Sequence, residues 1–173
     1  MTLYRTREVV HAEALQFQDP EQYAVNQLLM EAALPILHEL HDAGSAVTAS
    51  TPGSGLTADV APYYMNGADK MGAYNARHGV WRLKGYDNET NGPVFDGRVE
   101  HIPGSVFKVF VNDEEHPKGR SATMAEHTNA AMLLGVLTEA AATQTEQAAN
   151  APGQRRRNLR GHVGSLLDKI IGF

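Results

Sequence analysis

The stretch Asp19–Gly44, DPEQYAVNQLLMEAALPILHELHDAG, decides the fold. Its apolar residues fall at 25, 28, 29, 32, 33, 36, 37 and 40, the period of a helix and not of a strand. Asp19 suits the N-cap, Pro20 suits the first helical position, and Gln22 stands where it can close a capping box. Gly44 supplies the stop. Pro35 lacks a backbone donor and clashes with the Glu31 carbonyl, so the pattern predicts a kink there or two helices meeting. The stretch reads as a core helix without chemistry of its own.

Working outward, residues 3–17 read as an opening strand, with Val9, His11, Glu13, Leu15 and Phe17 on one face. On the other side of the helix, residues 45–78 hold Pro52, Gly53 and Gly55 and then a segment without sustained period. They read as an irregular excursion after at most a short strand at 46–49. A structureless segment of that length in a domain is a candidate for binding, through Tyr63 and Tyr64. Residues 79–112 turn to β character. GVWRLKG sets Trp81 and Leu83 against Arg82 and Lys84, RVEHI and SVFKVFVN follow, and Pro103-Gly104 divides them. A second helix spans 121–150, with Thr123 and Glu126 as its capping box. Leu159, Val163, Leu166, Leu167, Ile170 and Ile171 then recur at helical spacing. The expected class is α+β: a small, mostly antiparallel sheet packed on one kinked amphipathic helix, with a helical C-terminal extension. Residues 1–120 form the core domain, 121–150 a helix, and 151–173 a basic linker and amphipathic arm.

The chain has 173 residues, 42% of them hydrophobic and 20% charged, the balance of a folded domain with a core. It has no cysteine, which excludes disulfides, thiolate metal sites and a cysteine nucleophile. No apolar run at the start resembles a signal peptide and none reaches the length of a membrane span, so the expected setting is a cytosol or a particle assembled in one. Charge is uneven. Arg155, Arg156, Arg157, Arg160 and Lys169 against Asp168 give the last 23 residues +4, which leaves −9 on the rest of a chain whose net charge is −5. Such a tail meets nucleic acid or an acidic protein surface, its own or a neighbour's; the lack of interleaved aromatics favours protein.

Catalytic patterns are absent from the sequence: there is no HExxH, P-loop, GxSxG or GxGxxG. His38, His41 and Asp42 share a helix face and could hold a metal, yet polar positions at a helix end are the commoner reading. No catalytic, cofactor or metal residue is assigned. The interaction candidates are Tyr63, Tyr64 and Trp81 in the body. In the tail they are the arginines with Leu166, Leu167, Ile170, Ile171 and Phe173, an arm whose thinly charged polar face suits a protein surface over a membrane.

Two stretches carry a family resemblance. Tyr4-Arg5 with Val9-Val10, Ala12 and Phe17 form the first; Gly79, Trp81, Lys84 and Gly85, continued by Pro103, Phe107 and Val111, form the second. They resemble small phage-encoded proteins of the PGDYG type, over about a third of the chain. The sequence departs from them at Arg77-His78-Gly79-Val80, where the family has Pro-Gly-Asp before the tryptophan, in the inserted residues 45–78, and in everything after 112. The resemblance implies a phage origin and a small α+β core, and no catalytic residue. The expected function is therefore a non-enzymatic structural or assembly accessory protein of a phage particle, contacting copies of itself or other phage proteins in the virion or host cytoplasm. The alternative is a soluble phage protein that captures a small ligand or host factor, with Tyr63, Tyr64, Trp81, Arg82 and Lys84 as its site.

Overall fold

Asp19 opens the first helix: its Oδ1 accepts the Gln22 amide N–H at 3.1 Å, satisfying a donor that a helix N-terminus leaves unpaired. Helix α1 runs Pro20–Ala43. It closes on Gly44, whose φ of 63° lets its N–H reach the His41 carbonyl while the Ser45 N–H reaches Leu40. The computed structural model describes residues 15–63, 79–104 and 106–150, with the side chains of 145–150 outside that description. Two expectations about α1 change. Gln22 does not turn back to the cap, because its Nε2 donates to Asn26 Oδ1 at 2.8 Å. Pro35 lies inside one continuous helix, on its exposed side. The expected opening strand is helical at 15–18 where it is described, and its earlier part lies outside the described residues.

Six strands follow α1: β1 (Val47–Ser50), β2 (Leu56–Pro62), β3 (Gly79–Asp87), β4 (Pro93–His101), β5 (Lys108–Val111) and β6 (Arg120–Ser121). They lie in sequence order with every neighbour antiparallel. Tight turns impose this meander. Between β3 and β4 the Asp87 carboxylate accepts the N–H groups of Glu89 and Thr90 at 2.8 and 3.2 Å, and Asn91 takes a φ of 56°. The short strand expected at 46–49 is β1, and the irregular chain expected after it is corrected at 56–62, where β2 closes a hairpin: Val47 pairs with Val60 and Ala49 with Ala58. Residues 64–78 lie outside the described residues.

Helix α2 (Met124–Asn150) begins with the expected capping box. Thr123 N–H donates to Glu126 Oε1 at 2.9 Å, and Glu126 N–H donates to Thr123 Oγ1 at 3.4 Å. Both helices cover the same side of the sheet. Met30, Leu37 and Leu40 of α1 and Leu133, Leu134 and Leu137 of α2 share one core with Val60, Leu83, Phe95, Val99 and Val111. The class is α+β, with the sheet packed on two helices. Between the helices, buried Asn26 lies 2.9 Å from His127 Nδ1 and donates to Thr128 Oγ1 at 3.0 Å, while Tyr23 stacks on the His127 ring. A buried polar network of this kind fixes how two helices register. Burial there pushes the Tyr23 phenol above its ordinary value, and the Gln27 side chain partly offsets it.

Arg120 ties the β5–β6 loop to the start of α2. Its guanidinium donates to Asp113 at 2.8 Å and to both Glu126 oxygens at 2.8 and 2.7 Å. Arg120 is the first cause holding each carboxylate down to about 2, against ordinary values of 3.8 for Asp113 and 4.5 for Glu126. A carboxylate whose folded value is depressed contributes stability above its unfolded value and loses it as pH falls through the folded one. Acid unfolding should therefore show stability falling between about pH 5 and pH 2. Partial exposure holds the Glu126 contribution to about 1 kcal/mol. In Arg120→Gln that pH dependence should flatten, with the deficit against wild type present at pH 7 and vanishing near pH 2. Equal deficits at both pH values in urea titrations would contradict it.

Candidate functional site

The core-facing residues of the sheet alternate with a second set, so the face away from the helices follows from register. It carries Arg82 and Lys84 of β3, Asp96, Arg98 and Glu100 of β4, and Lys108 and Phe110 of β5. The register sets Arg82 directly opposite Arg98. Two like charges in that position repel one another. Asp96, diagonal to Arg82 and two residues before Arg98 on β4, lies 3.5 Å from Arg82, an ion pair between two half-exposed side chains.

Arg98 is held far more firmly than Arg82. Its guanidinium lies 4.1 Å above the Phe110 ring and donates to the Lys118 carbonyl at 2.8 Å. That contact needs Gly119 in the next position, at φ 100°, because a Cβ there would strike the Arg98 guanidinium. The loop that presents Lys118 is itself tied down. Asn112 Nδ2 donates to the Pro117 carbonyl at 2.9 Å, and the His116 N–H donates to Asp113 at 2.7 Å. Between this loop and the sheet is a cleft of about 450 Å³ lined by Tyr63, Arg82, Gly97, Arg98, Asn112, Pro117 and Lys118. Tyr63 stands at the end of β2, where its N–H bonds the Val80 carbonyl at 2.8 Å, and its side chain is substantially exposed.

The cleft thus unites Tyr63 and Arg82, both anticipated, with Arg98, Asn112 and Lys118, which were not. Arg98 was legible in principle, because RVEH alternates Arg98 and Glu100 against Val99; what the sequence lacks is the register that brings Arg98 to Arg82. Lys84 shares the open face without lining the cleft. Trp81 is corrected as a surface candidate. It has no exposed surface, points into the core and donates from Nε1 to the Leu37 carbonyl at 2.7 Å. His38 and His41 flank it, at ring separations of 5.4 and 6.0 Å. Among the described residues no group of three His, Asp or Glu is arranged to hold a metal ion. Tyr64, Arg155, Arg156, Arg157, Arg160, Leu166, Leu167, Ile170, Ile171 and Phe173 lie outside the described residues.

The opposite side of the molecule shows a different feature. Val25 and Leu28 of α1 are 50% and 66% exposed, and Ala24, Ala32 and Pro35 continue the outward stripe. Alongside it run Glu21, Glu31, Glu39 and Asp42, and α1 contains no lysine or arginine. A helix apolar on both sides is usually covered on both sides. Comparison of the chain with protein-family models, with curated proteins and with solved structures finds no match.

Proposed function

We propose that the protein is a non-enzymatic structural or assembly accessory protein of a phage particle, acting by contact between copies of itself in the virion or host cytoplasm. In this reading the arm Leu159–Phe173 of one copy lies along the outer face of α1 of the next. The outward stripe of Val25, Leu28 and Ala32 carries the reading, because it offers apolar area to a helical partner at matching spacing. Charge supports the choice of occupant: a tail segment of +4 meets a helix whose charged residues, histidines aside, are all acidic. A contact of one surface with a different one on the next copy propagates into rings or filaments, as an assembly protein requires. The phage setting rests on the resemblance of residues 4–17 and 79–111. No helix among the described residues is long and apolar enough to cross a membrane.

Light scattering on the eluted protein tests this. The full chain should exceed its 18.8 kDa monomer mass and grow with concentration. Leu28→Glu, at an exposed position where folding should change by less than about 0.5 kcal/mol, should return it to monomer. Deleting 154–173 should do the same. A monomeric wild type, or an oligomer indifferent to both changes, would overturn the proposal. A second reading, capture of a small ligand, draws on Tyr63 and Arg82 in the cleft.

A further inference from the structure

We infer that the cleft over β3 and β4 is a binding site for a small phosphate monoester that carries a planar ring, the chemistry of a nucleoside monophosphate. The inference rests on the capture reading and is independent of the arm contact.

The strongest observation is the opposed pair Arg82 and Arg98. Like charges across adjacent strands destabilise a sheet, and the Asp96 carboxylate, 3.5 Å from Arg82, balances one of the two. An anion between the two guanidiniums would relieve that repulsion. A second observation points the same way. The Arg98 Nε–H is buried and finds no hydrogen-bond acceptor among the described residues, although the rest of the group is fixed by Phe110 and Lys118. A buried donor without an acceptor is costly, and a bound oxyanion would satisfy it.

Phosphate is the oxyanion this arrangement suits. Guanidinium forks match its oxygens in pairs, Lys118 adds a third positive charge at the cleft wall, and Asn112 adds an amide. The volume, about 450 Å³, exceeds what inorganic phosphate fills, so the ligand has a further part. Tyr63, an exposed ring on the same cleft, offers a stacking surface for that part. Pre-organisation favours the site. The loop that carries Lys118 is pinned by Arg98, Asn112 and Asp113 without a ligand, so little ordering remains to oppose binding.

Calorimetric titration of the full chain at low salt tests it with four probes: adenosine monophosphate, adenosine, inorganic phosphate and citrate. The nucleotide should bind, with phosphate weaker and adenosine weaker still. Arg82→Gln and Arg98→Gln should each weaken nucleotide binding roughly ten- to a hundredfold. Tyr63→Ala should bring the nucleotide down to the affinity of phosphate alone. Lys84→Gln, on the same face outside the cleft, should change binding less than about threefold, and it separates a site from a diffuse positive field. Because Arg98 also anchors the loop, circular dichroism of each variant accompanies the titrations, and Arg82→Gln carries the test if Arg98→Gln does not fold. Citrate binding as tightly as the nucleotide, a double arginine variant that retains wild-type affinity, or no binding by any probe would overturn the inference. Loss of binding with the oligomer intact would leave the arm contact standing.

Discussion

Trp81→Ala is expected to cost about 3–5 kcal/mol, the range for removing a large aromatic from a packed core. Trp81 has no exposed surface, and it occupies the middle of β3, a strand paired on both sides. Its indole also joins the sheet to α1, through the 2.7 Å bond to the Leu37 carbonyl and the edge contacts of His38 and His41. Truncation opens a cavity and removes that bond together. For a domain of this size the loss should lower the melting temperature by roughly 10–20 °C. Trp81→Phe keeps most of the volume and removes the donor, so it should cost about 1–2 kcal/mol. Equal losses for the two variants in urea titrations would mean that the bond, and not the packing, dominates.

Gly97→Ala should be the second large effect, roughly 2–3 kcal/mol. Gly97 faces Val111 across β4 and β5, and a Cβ there would collide with the Phe110 carbonyl oxygen. Backbone cannot step aside as a side chain can, so the pairing of these strands must separate to admit a methyl group. Gly53→Ala is the matched control: in the first hairpin turn a Cβ at that position meets nothing within 4 Å. Thermal melts of the two variants should differ by at least about 5 °C. A Gly97→Ala protein as stable as Gly53→Ala would show that the strands are not so closely apposed.

What could be read from the sequence was what local chemistry determines. The Asp19 cap, the Gly44 stop and the Thr123–Glu126 box are each set by residues within one turn, and each is found. The Trp81/Leu83 alternation likewise placed β3. The hairpin of β1 and β2 escaped because its core positions are filled by Ala49 and Ala58, small residues lying under the helices, and alternation of alanine with threonine and aspartate carries little signal. Pro35 does not divide the stretch into two helices: α1 runs through it, with the proline on the exposed side.

The apolar stripe of α1 was legible but ambiguous. Of the positions that define it, 33, 37 and 40 face the core, together with Met30, whereas 25, 28 and 32 face outward. Periodicity alone merges two faces into one broad stripe. The cleft was half legible for a related reason: Arg82 follows from alternation along one strand, but its opposition to Arg98 depends on register between strands.

The proposed contact between the arm of one copy and α1 of another is open to direct measurement, because the chain has no cysteine. Leu28→Cys and Ile170→Cys are made as two separate proteins, mixed, and treated with a short bifunctional thiol reagent. Proteolysis and mass spectrometry then identify the joined peptides. The predicted result is a crosslink between the peptide containing position 28 of one protein and that containing position 170 of the other, suppressed strongly by added cysteine-free wild type and only weakly by Leu28→Glu protein lacking residues 154–173. No crosslink between the two proteins, at concentrations where light scattering reports an oligomer, would contradict the proposed assembly contact.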